Sequence, residues 1–370
     1  MKRWLLLAVW TASAGAATPI EIRLASPDIG SAGTSSSGTG PVDYAYVRHL
    51  YEDEFAHDGI RVRWKFFKGA GPAVNEAIVN RQIDFAFIGD LPAIIGRAVG
   101  SDTRLLAGVV RGANNYLGVV PGKGYDSLEK LRGKQIGVWL GTASHLGFDA
   151  VLAQHGYSEK DFRIINLDPS AAMAALATRR IDAAWSAANL LVLQQRGLID
   201  IPLSTKGGDG TGTFALGLVG RGGFVREHPD LTLRVVKVLL RASQWVSVPA
   251  NHDRIVELVT QQAHLPEALL RDAFRGEDLG RMSSPLLDGD FLGQYRDGVQ
   301  AAWRTGLIRQ TFDVDAWAEP RFVEQALQEL RLEDFWTPRL ARVAVSPSGT
   351  DALPHADPAH PAAKQQEPSL

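Results

Sequence analysis

Residues 66–90 read FFKGAGPAVNEAIVNRQIDFAFIGD, and residues 164–188 read IINLDPSAAMAALATRRIDAAWSAA. The two stretches align without a gap. Arg81 falls over Arg179, and Ile83-Asp84 over Ile181-Asp182. Each runs in the order strand end, loop, short helix, basic turn, Ile-Asp, strand. A repeated unit of this kind implies two similar α/β lobes, and so decides the fold class. Unrelated βαβ units also share apolar patterns, so chance similarity is the competing account. Ligands of open α/β sheets bind at the carboxyl ends of the strands. Two such lobes placed face to face enclose a cleft between those ends.

Outward from the repeat, strand-like and helix-like runs alternate. Strands are expected over 20–26, 60–67, 83–89, 105–110, 116–122, 135–141, 162–168, 181–187 and 214–220. Several are near-continuous apolar runs, the mark of strands covered on both faces, so largely parallel sheets are expected. A single helix-like run covers 42–55. From His228 onward the pattern is mostly helical, with helices expected over 228–246, 253–262, 267–274, 291–305 and 321–330. Leu231, Val235, Val238 and Leu239 fall at helical spacing. Residues 346–370 are rich in Pro, Ala, His and Gln without periodicity, as in a disordered tail.

The first residues, MKRWLLLAVWTASAGAATP, combine a basic start, a short apolar stretch and the small residues Ala14-Gly15-Ala16. That is the pattern of a cleaved secretory signal over 1–16, and its apolar part is too short to span a bilayer. The chain has 370 residues, 0 cysteines and a formal net charge of -2. Without cysteine there is no disulfide, no thiolate metal site, no cysteine nucleophile and no N-terminal lipid anchor. The charge balance offers no bulk attraction to nucleic acid. A soluble periplasmic monomer without metal or cofactor is expected.

Three strand-to-helix junctions could carry chemistry. In GTASHLGFDAVLAQHG (141–156) a helix begins near Ala143 or Ser144. First-turn N–H groups and the helix dipole make such a start an anion seat, to which Thr142, Ser144 and His145 could add donors. The plainer account is an ordinary N-cap. The loop Lys68-Gly69-Ala70-Gly71-Pro72 has the same form in the first lobe, with Gly and Pro also serving as simple helix punctuation. At Gly89-Asp90-Leu91-Pro92, Asp90 is expected to cap a helix, with ligand contact as the alternative. Trp185 could line the cleft or pack in the core. The stretch GSAGTSSSGTGP (30–41) follows the first strand, so Ser35, Ser36, Ser37 and Thr39 could reach a ligand or form an idle lip. No G-x-S-x-G elbow, H-E-x-x-H or Walker loop occurs, and no acid/base pair is evident.

IDFAFIGDLPAII (83–95), SLEKLRGKQIGVWLGTASHLGFDAVLAQHG (127–156) and residues 170–185 resemble the periplasmic substrate-binding proteins of the sulfonate, nitrate and taurine uptake class, above all the aliphatic sulfonate-binding proteins of ABC importers. The resemblance implies two α/β lobes joined by two hinge crossings. Lobe 1 would hold 17–112 and 214–345, and lobe 2 would hold 113–213. It places Gly89 and Asp90 on one side of the cleft and Thr142, Ala143, Ser144 and His145 on the other; Gly71 and Trp185 are candidates from the junction and strand readings above. A sulfonate-like organic anion would be held there and delivered to an inner-membrane permease. Two features depart from the family. Ser186 and Ala187 follow Trp185 where an acidic residue and Pro are frequent, and the 30–41 loop is longer and more polar. A sensor-linked binding protein and a small-molecule enzyme on the same scaffold are the alternatives.

Overall fold

A computed structural model describes residues 21–29, 34–264 and 266–340. The expected secretory signal, the expected tail and residues 30–33 of the Ser-rich loop lie outside the described residues. Ten strands form two sheets of five. The first contains β1 (Glu21–Pro27), β2 (Arg61–Phe67), β3 (Phe85–Gly89), β4 (Thr103–Ala113) and β10 (Phe214–Arg221), in the order β2-β1-β3-β10-β4. The second contains β5 (Tyr116–Val119), β6 (Gln135–Val138), β7 (Arg163–Asn166), β8 (Ala183–Ser186) and β9 (Asp200–Ser204), in the order β7-β6-β8-β5-β9.

The sheets are mixed, where parallel ones were expected. β10 runs antiparallel to β3 and β4, and β5 runs antiparallel to β8 and β9. The reason is topological. β4 leaves the first sheet at its carboxyl end and enters the second within a few residues, as β5. Coming from the cleft, β5 must run against β6–β8. β10 re-enters the first sheet in the same way. β9 was not among the strands expected from sequence. It is a short edge strand that pairs only with β5 and carries Pro202, a residue that weakens any strand signal. The helix expected over 42–55 is two helices, α1 (Gly40–Val47) and α2 (Leu50–Ala56), broken where His49 turns left-handed at φ 54°.

The repeat is carried down to single hydrogen bonds. β2, α3 (Ala70–Val79) and β3 correspond to β7, α6 (Pro169–Ala177) and β8. Arg81 and Arg179 both adopt the left-handed region, at φ 54° and 58°. Arg81 N–H donates to the Ile78 carbonyl, and Gln82 N–H to that of Ala77. Arg179 and Arg180 do the same to Leu176 and Ala175. The Ile-Asp pairs are equivalent as well. Asp84 accepts the N–H of Arg23 on β1 at 3.1 Å, and Asp182 accepts that of Gln135 on β6 at 3.0 Å. In each lobe the aspartate carboxylate fastens the start of one strand to its neighbour, while the isoleucine before it is buried.

Helices cover both faces of the first sheet. α9 (Pro229–Ser247) and α15 (Arg321–Leu330) pack with Leu24, Phe85 and Phe87 on one face. α13 (Gly289–Arg304) and Trp317 pack with Ile88, Leu91 and Ile94 on the other. A third cluster spans the lobes: Tyr116, Leu176 and Leu190 of the second sheet's layer meet Val246, Ile255 and Leu270 from α9, α10 (His252–Ala263) and α11 (Glu267–Phe274).

The C-terminal helices are locked to β4 by a buried ion pair. Arg111 Nη1 donates to both oxygens of Asp288 at 2.8 and 3.0 Å. Its Nη2 donates to the carbonyls of Ser284 and Leu286 at 3.1 and 2.6 Å. Asp288 also caps α13 by accepting the Phe291 N–H at 3.0 Å. Breaking a buried pair strands a charge, at a cost of roughly 3–5 kcal/mol. Asp288→Ala should lower the unfolding free energy in urea by about that amount; a change under about 1 kcal/mol would show that the pair is not an anchor.

Candidate ligand-binding site

A cavity of about 460 Å³ lies between the lobes, at the carboxyl ends of both sheets. Its polar rim is made of helix starts. α1 follows Thr39, and α5 (Ala143–Gln154) follows Thr142. Neither threonine caps its own helix with its side chain. Thr142 Oγ1 donates instead to the Trp139 carbonyl at 2.7 Å. In α5 the His145 and Leu146 N–H groups turn inward to the Thr142 carbonyl. The N–H groups of Ala143 and Ser144 are the orphan donors of that first turn, and both residues line the cavity. Two other helix starts already hold a carboxylate. In α6, Asp168 accepts the Ser170 and Ala171 N–H groups at 2.9 Å each. In α4 (Asp90–Ala98), Asp90 takes the Leu91 N–H at 2.7 Å.

Of the residues singled out from sequence, Ser37, Thr39, Gly71, Gly89, Thr142, Ala143, Ser144 and Trp185 line the cavity. Ser35, Ser36, Asp90 and His145 do not, and each has another partner. The Ser35 carbonyl accepts from Gln262 Nε2. Ser36 is fully buried and donates its hydroxyl to Asp43 at 2.6 Å. Asp43 also takes the Ser37 N–H and hydroxyl, at 2.7 and 2.8 Å. Burial pushes the Asp43 carboxyl up to about 6, although these donors pull the other way. The described part of the Ser-rich loop is therefore wrapped around a carboxylate of α1, and the Ser36 and Ser37 hydroxyls are spent there. With the Ser37 proton given to Asp43, Thr39 donates to Ser37 Oγ across 2.9 Å.

Asp90 is a brace between elements. Its Oδ2 accepts the Ala215 N–H at 3.0 Å and Gln294 Nε2 at 3.4 Å, tying α4 to β10. Burial pushes it up to about 7. His145 has both ring nitrogens engaged. Gly141 N–H donates to Nδ1 at 3.1 Å, so Nε2 carries the proton and donates to Glu159 at 2.7 Å. Asp149 lies beside them, its carboxyl raised to about 6, chiefly by burial. These three side chains are close enough to share a metal ion. A metal on Nε2 would move the ring proton to Nδ1, into the Gly141 N–H, so the geometry favours the hydrogen-bonded group.

Ser144 is wired to the hinge. Its hydroxyl donates to Asn115 Oδ1 at 2.6 Å, and its carbonyl accepts Trp185 Nε1 at 2.9 Å. Asn115 sits on the crossing from β4 to β5 and reaches the return crossing. Its Nδ2 donates to the Gly212 carbonyl at 2.8 Å and its N–H to Thr205 Oγ1 at 2.9 Å. The lobes also meet directly. A Cβ on Gly89 would lie 2.7 Å from the Ala143 Cβ, and one on Gly141 would lie 3.3 Å from Pro72 Cγ.

Several lining residues were not anticipated. Burial pushes the Tyr116 phenol up, so it remains a proton donor. Ser186 donates to Asn189 Oδ1 at 2.8 Å, while the buried Asn189 Nδ2 finds no acceptor among the described residues. Their place just after the Trp185 strand was the available signal. A long apolar wall from Ile255 to Met282 had none, since it is far away in sequence.

The family model described as NMT1/THI5 like matches residues 53–250. The chain belongs to the NMT1/THI5-like family. A solved structure, that of the periplasmic sulfonate-binding protein SsuA of a putative sulfonate ABC transporter from Methylobacillus flagellatus KT, is similar at 30% identity, with a TM-score of 0.76 over 88% of this chain and 99% of that one. A putative aliphatic sulfonates-binding protein from Bacillus subtilis (strain 168) is 27% identical over 294 residues, covering 78% of this chain and 85% of the relative. The desulfurization enzyme DSZB shares the fold alone, at 16% identity and a TM-score of 0.63, over 84% of this chain and 100% of that one. No helix among the described residues is long and apolar enough to cross a membrane.

Two outcomes test this geometry. Gly89→Val puts a branched side chain against Ala143 and should hold the lobes apart, raising the radius of gyration in small-angle scattering; an unchanged radius would show that the contact is not limiting. Asp90 carries a folded-state pKa above its unfolded one. Its stabilising effect is therefore full below the unfolded value near 4 and lost as pH rises through about 7. Urea unfolding across that window should show stability falling, and Asp90→Asn should flatten the fall; an equally steep fall in the variant would assign it to other groups.

Proposed function

We propose that this NMT1/THI5-like protein is the substrate-binding component of an ABC importer. It captures a small organic anion with a sulfonate head between its lobes and presents the closed form to a membrane permease from the periplasm. The supporting observation is the α5 start: two orphan N–H donors, at Ala143 and Ser144, at a cavity whose lining among the described residues includes no Lys, Arg, Asp or Glu. Helix-start donors and the dipole stabilise a delocalised oxyanion without a cation. The sulfonate-binding relatives favour the same head group. Ligand favours closure by its differential affinity for the closed state, and the Ser144–Asn115 bond joins the seat to the crossings that must bend. A binding role rather than catalysis fits a cavity in which, among the described residues, the lining includes no carboxylate or amine and a single histidine, His264, with no carboxylate lining the cavity beside it.

The test is a thermal-shift and calorimetric screen of sulfonates, taurine, nitrate, bicarbonate and sulfate esters. Binding to the folded state raises the melting temperature. Sulfonates should stabilise the protein, and Ser144→Asp should abolish that stabilisation by repulsion, with a lower unliganded melting temperature because the buried Asn115 Oδ1 loses its donor. Full affinity in the variant would remove Ser144 from the site, and stabilisation by cations alone would refute the anion seat.

A further inference from the structure

A second cavity, of about 530 Å³, lies on the flank of the first lobe. It is walled by α1, α2, the C-terminal half of α9 and the turn that follows α9. The cavity between the lobes has α10, α11 and α12 (Leu279–Met282) on one side, with His264 between the first two. No described residue lines both spaces, and neighbours on α9 divide between them: Trp245 lines the flank and Val246 the cleft.

The apolar part of the flank cavity is a pair of rings. Tyr44 and Trp245 stack with centroids 4.0 Å apart and planes within 6°. Both are half-buried, so ring surface remains open to the cavity. The polar part divides into spent and free groups. Glu54 is spent: its Oε1 accepts Arg234 Nε at 2.9 Å, and its Oε2 accepts Arg241 Nη1 at 2.7 Å. Asp53 is exposed, and its carboxylate has no partner among the described residues. The Gln244 amide has none either, and Arg241 keeps the rest of its guanidinium free. Asn251 gives Nδ2 to the Trp245 carbonyl at 2.8 Å, which orients the amide and leaves Oδ1 as a free acceptor.

These groups narrow the ligand. The volume lies within the range of roughly 300–1,000 Å³ that takes small organic molecules. An anion would meet the uncompensated Asp53. An organic cation would meet the Arg241 charge and offer no acceptor to the Arg241 and Gln244 N–H groups. A hydroxyl group both donates and accepts, so a ligand carrying several satisfies free donors and free acceptors side by side. The ring pair calls for a flat apolar face on the same molecule. A pyranose has both: C–H groups on its face and hydroxyls around its edge. We propose that the flank cavity is a carbohydrate site, in which a neutral sugar ring lies against the Tyr44–Trp245 pair and its hydroxyls bond Asp53, Arg241, Gln244 and Asn251. The site is independent of the anion seat and of the function built on it.

The experiment is saturation-transfer-difference NMR on the purified chain with glucose, N-acetylglucosamine, maltotriose and chitotriose, and with arginine and choline as cationic probes. Calorimetry follows for each probe that gives a signal. At least one sugar should bind, and Trp245→Ala should weaken it about tenfold. Asp53→Asn and Gln244→Ala should each weaken it roughly threefold to tenfold. Circular dichroism and melting are checked in parallel. The last two changes lie on exposed or half-buried side chains without partners, so they report even where Trp245→Ala fails to fold. Absence of signal from all four sugars at tens of millimolar would overturn the proposal, as would sugar binding unchanged in Asp53→Asn and Gln244→Ala. Binding of arginine or choline without any sugar, lost in Asp53→Asn, would make this a cation site instead. Sugar binding lost in Ser144→Asp and kept in Trp245→Ala would put the sugar in the cleft and overturn the flank site.

Discussion

Asn115 stands where the chain passes from one sheet to the other, is fully buried, and has every polar atom bonded. Its N–H goes to Thr205 Oγ1, its carbonyl receives the Thr205 N–H, its Nδ2 goes to the Gly212 carbonyl, and its Oδ1 receives the Ser144 hydroxyl. One side chain thereby holds both crossings and the first turn of α5 in register. A buried asparagine with four hydrogen bonds, two from its backbone and two from its amide, is costly to disturb, because each freed group would be left unsatisfied. The backbone is equally close-packed there: a Cβ on Gly147 would lie 2.4 Å from the Gly212 carbonyl oxygen. Everything that faces the cleft is placed relative to this junction.

The mixed sheets follow from the same constraint. A chain that leaves one sheet at its carboxyl edge can enter the facing sheet only from that sheet's carboxyl edge, so the entering strand runs backwards. Both crossings therefore lie on the cleft side and double as hinges, while the carboxyl ends of the parallel strands are left to present helix starts. Of the four starts compared, those of α4 and α6 are occupied by Asp90 and Asp168, while the α5 start presents its donors to the cavity. Buried carboxylates here organise loops and braces. The cavity lining among the described residues is left to backbone donors, neutral side chains, rings and His264.

Much of this was legible in the sequence. The gapless match of residues 66–90 with 164–188 identifies the two lobes because the Ile-Asp pair does the same job in each: the carboxylate fastens a neighbouring strand and the isoleucine fills the core. The α5 start was legible because a strand ending in Gly-Thr before Ala-Ser leaves few conformations open. Ser36, Asp90 and His145 were misjudged for one reason. Position at a strand end says that a side chain is near the cleft, but not which polar group it will pair with. Asp43, Gln294 and Glu159 came from 7, 204 and 14 residues away to claim them.

The sequence alone determined the α/β class, the doubling of the lobes and the location of an anion-compatible helix start. These rest on local periodicity, glycine and hydroxyl punctuation, and short-range repetition, all of which are properties of contiguous residues. Tertiary structure decided the strand directions, the fate of the described serines in the 30–41 loop, and the apolar wall from α10–α12. Those depend on which distant surfaces meet. A wall made of Ile255, Leu270 and Met282 reads in sequence as an ordinary helical core stripe, and lines the cavity only because packing brings it to the same space as the start of a helix more than 100 residues earlier.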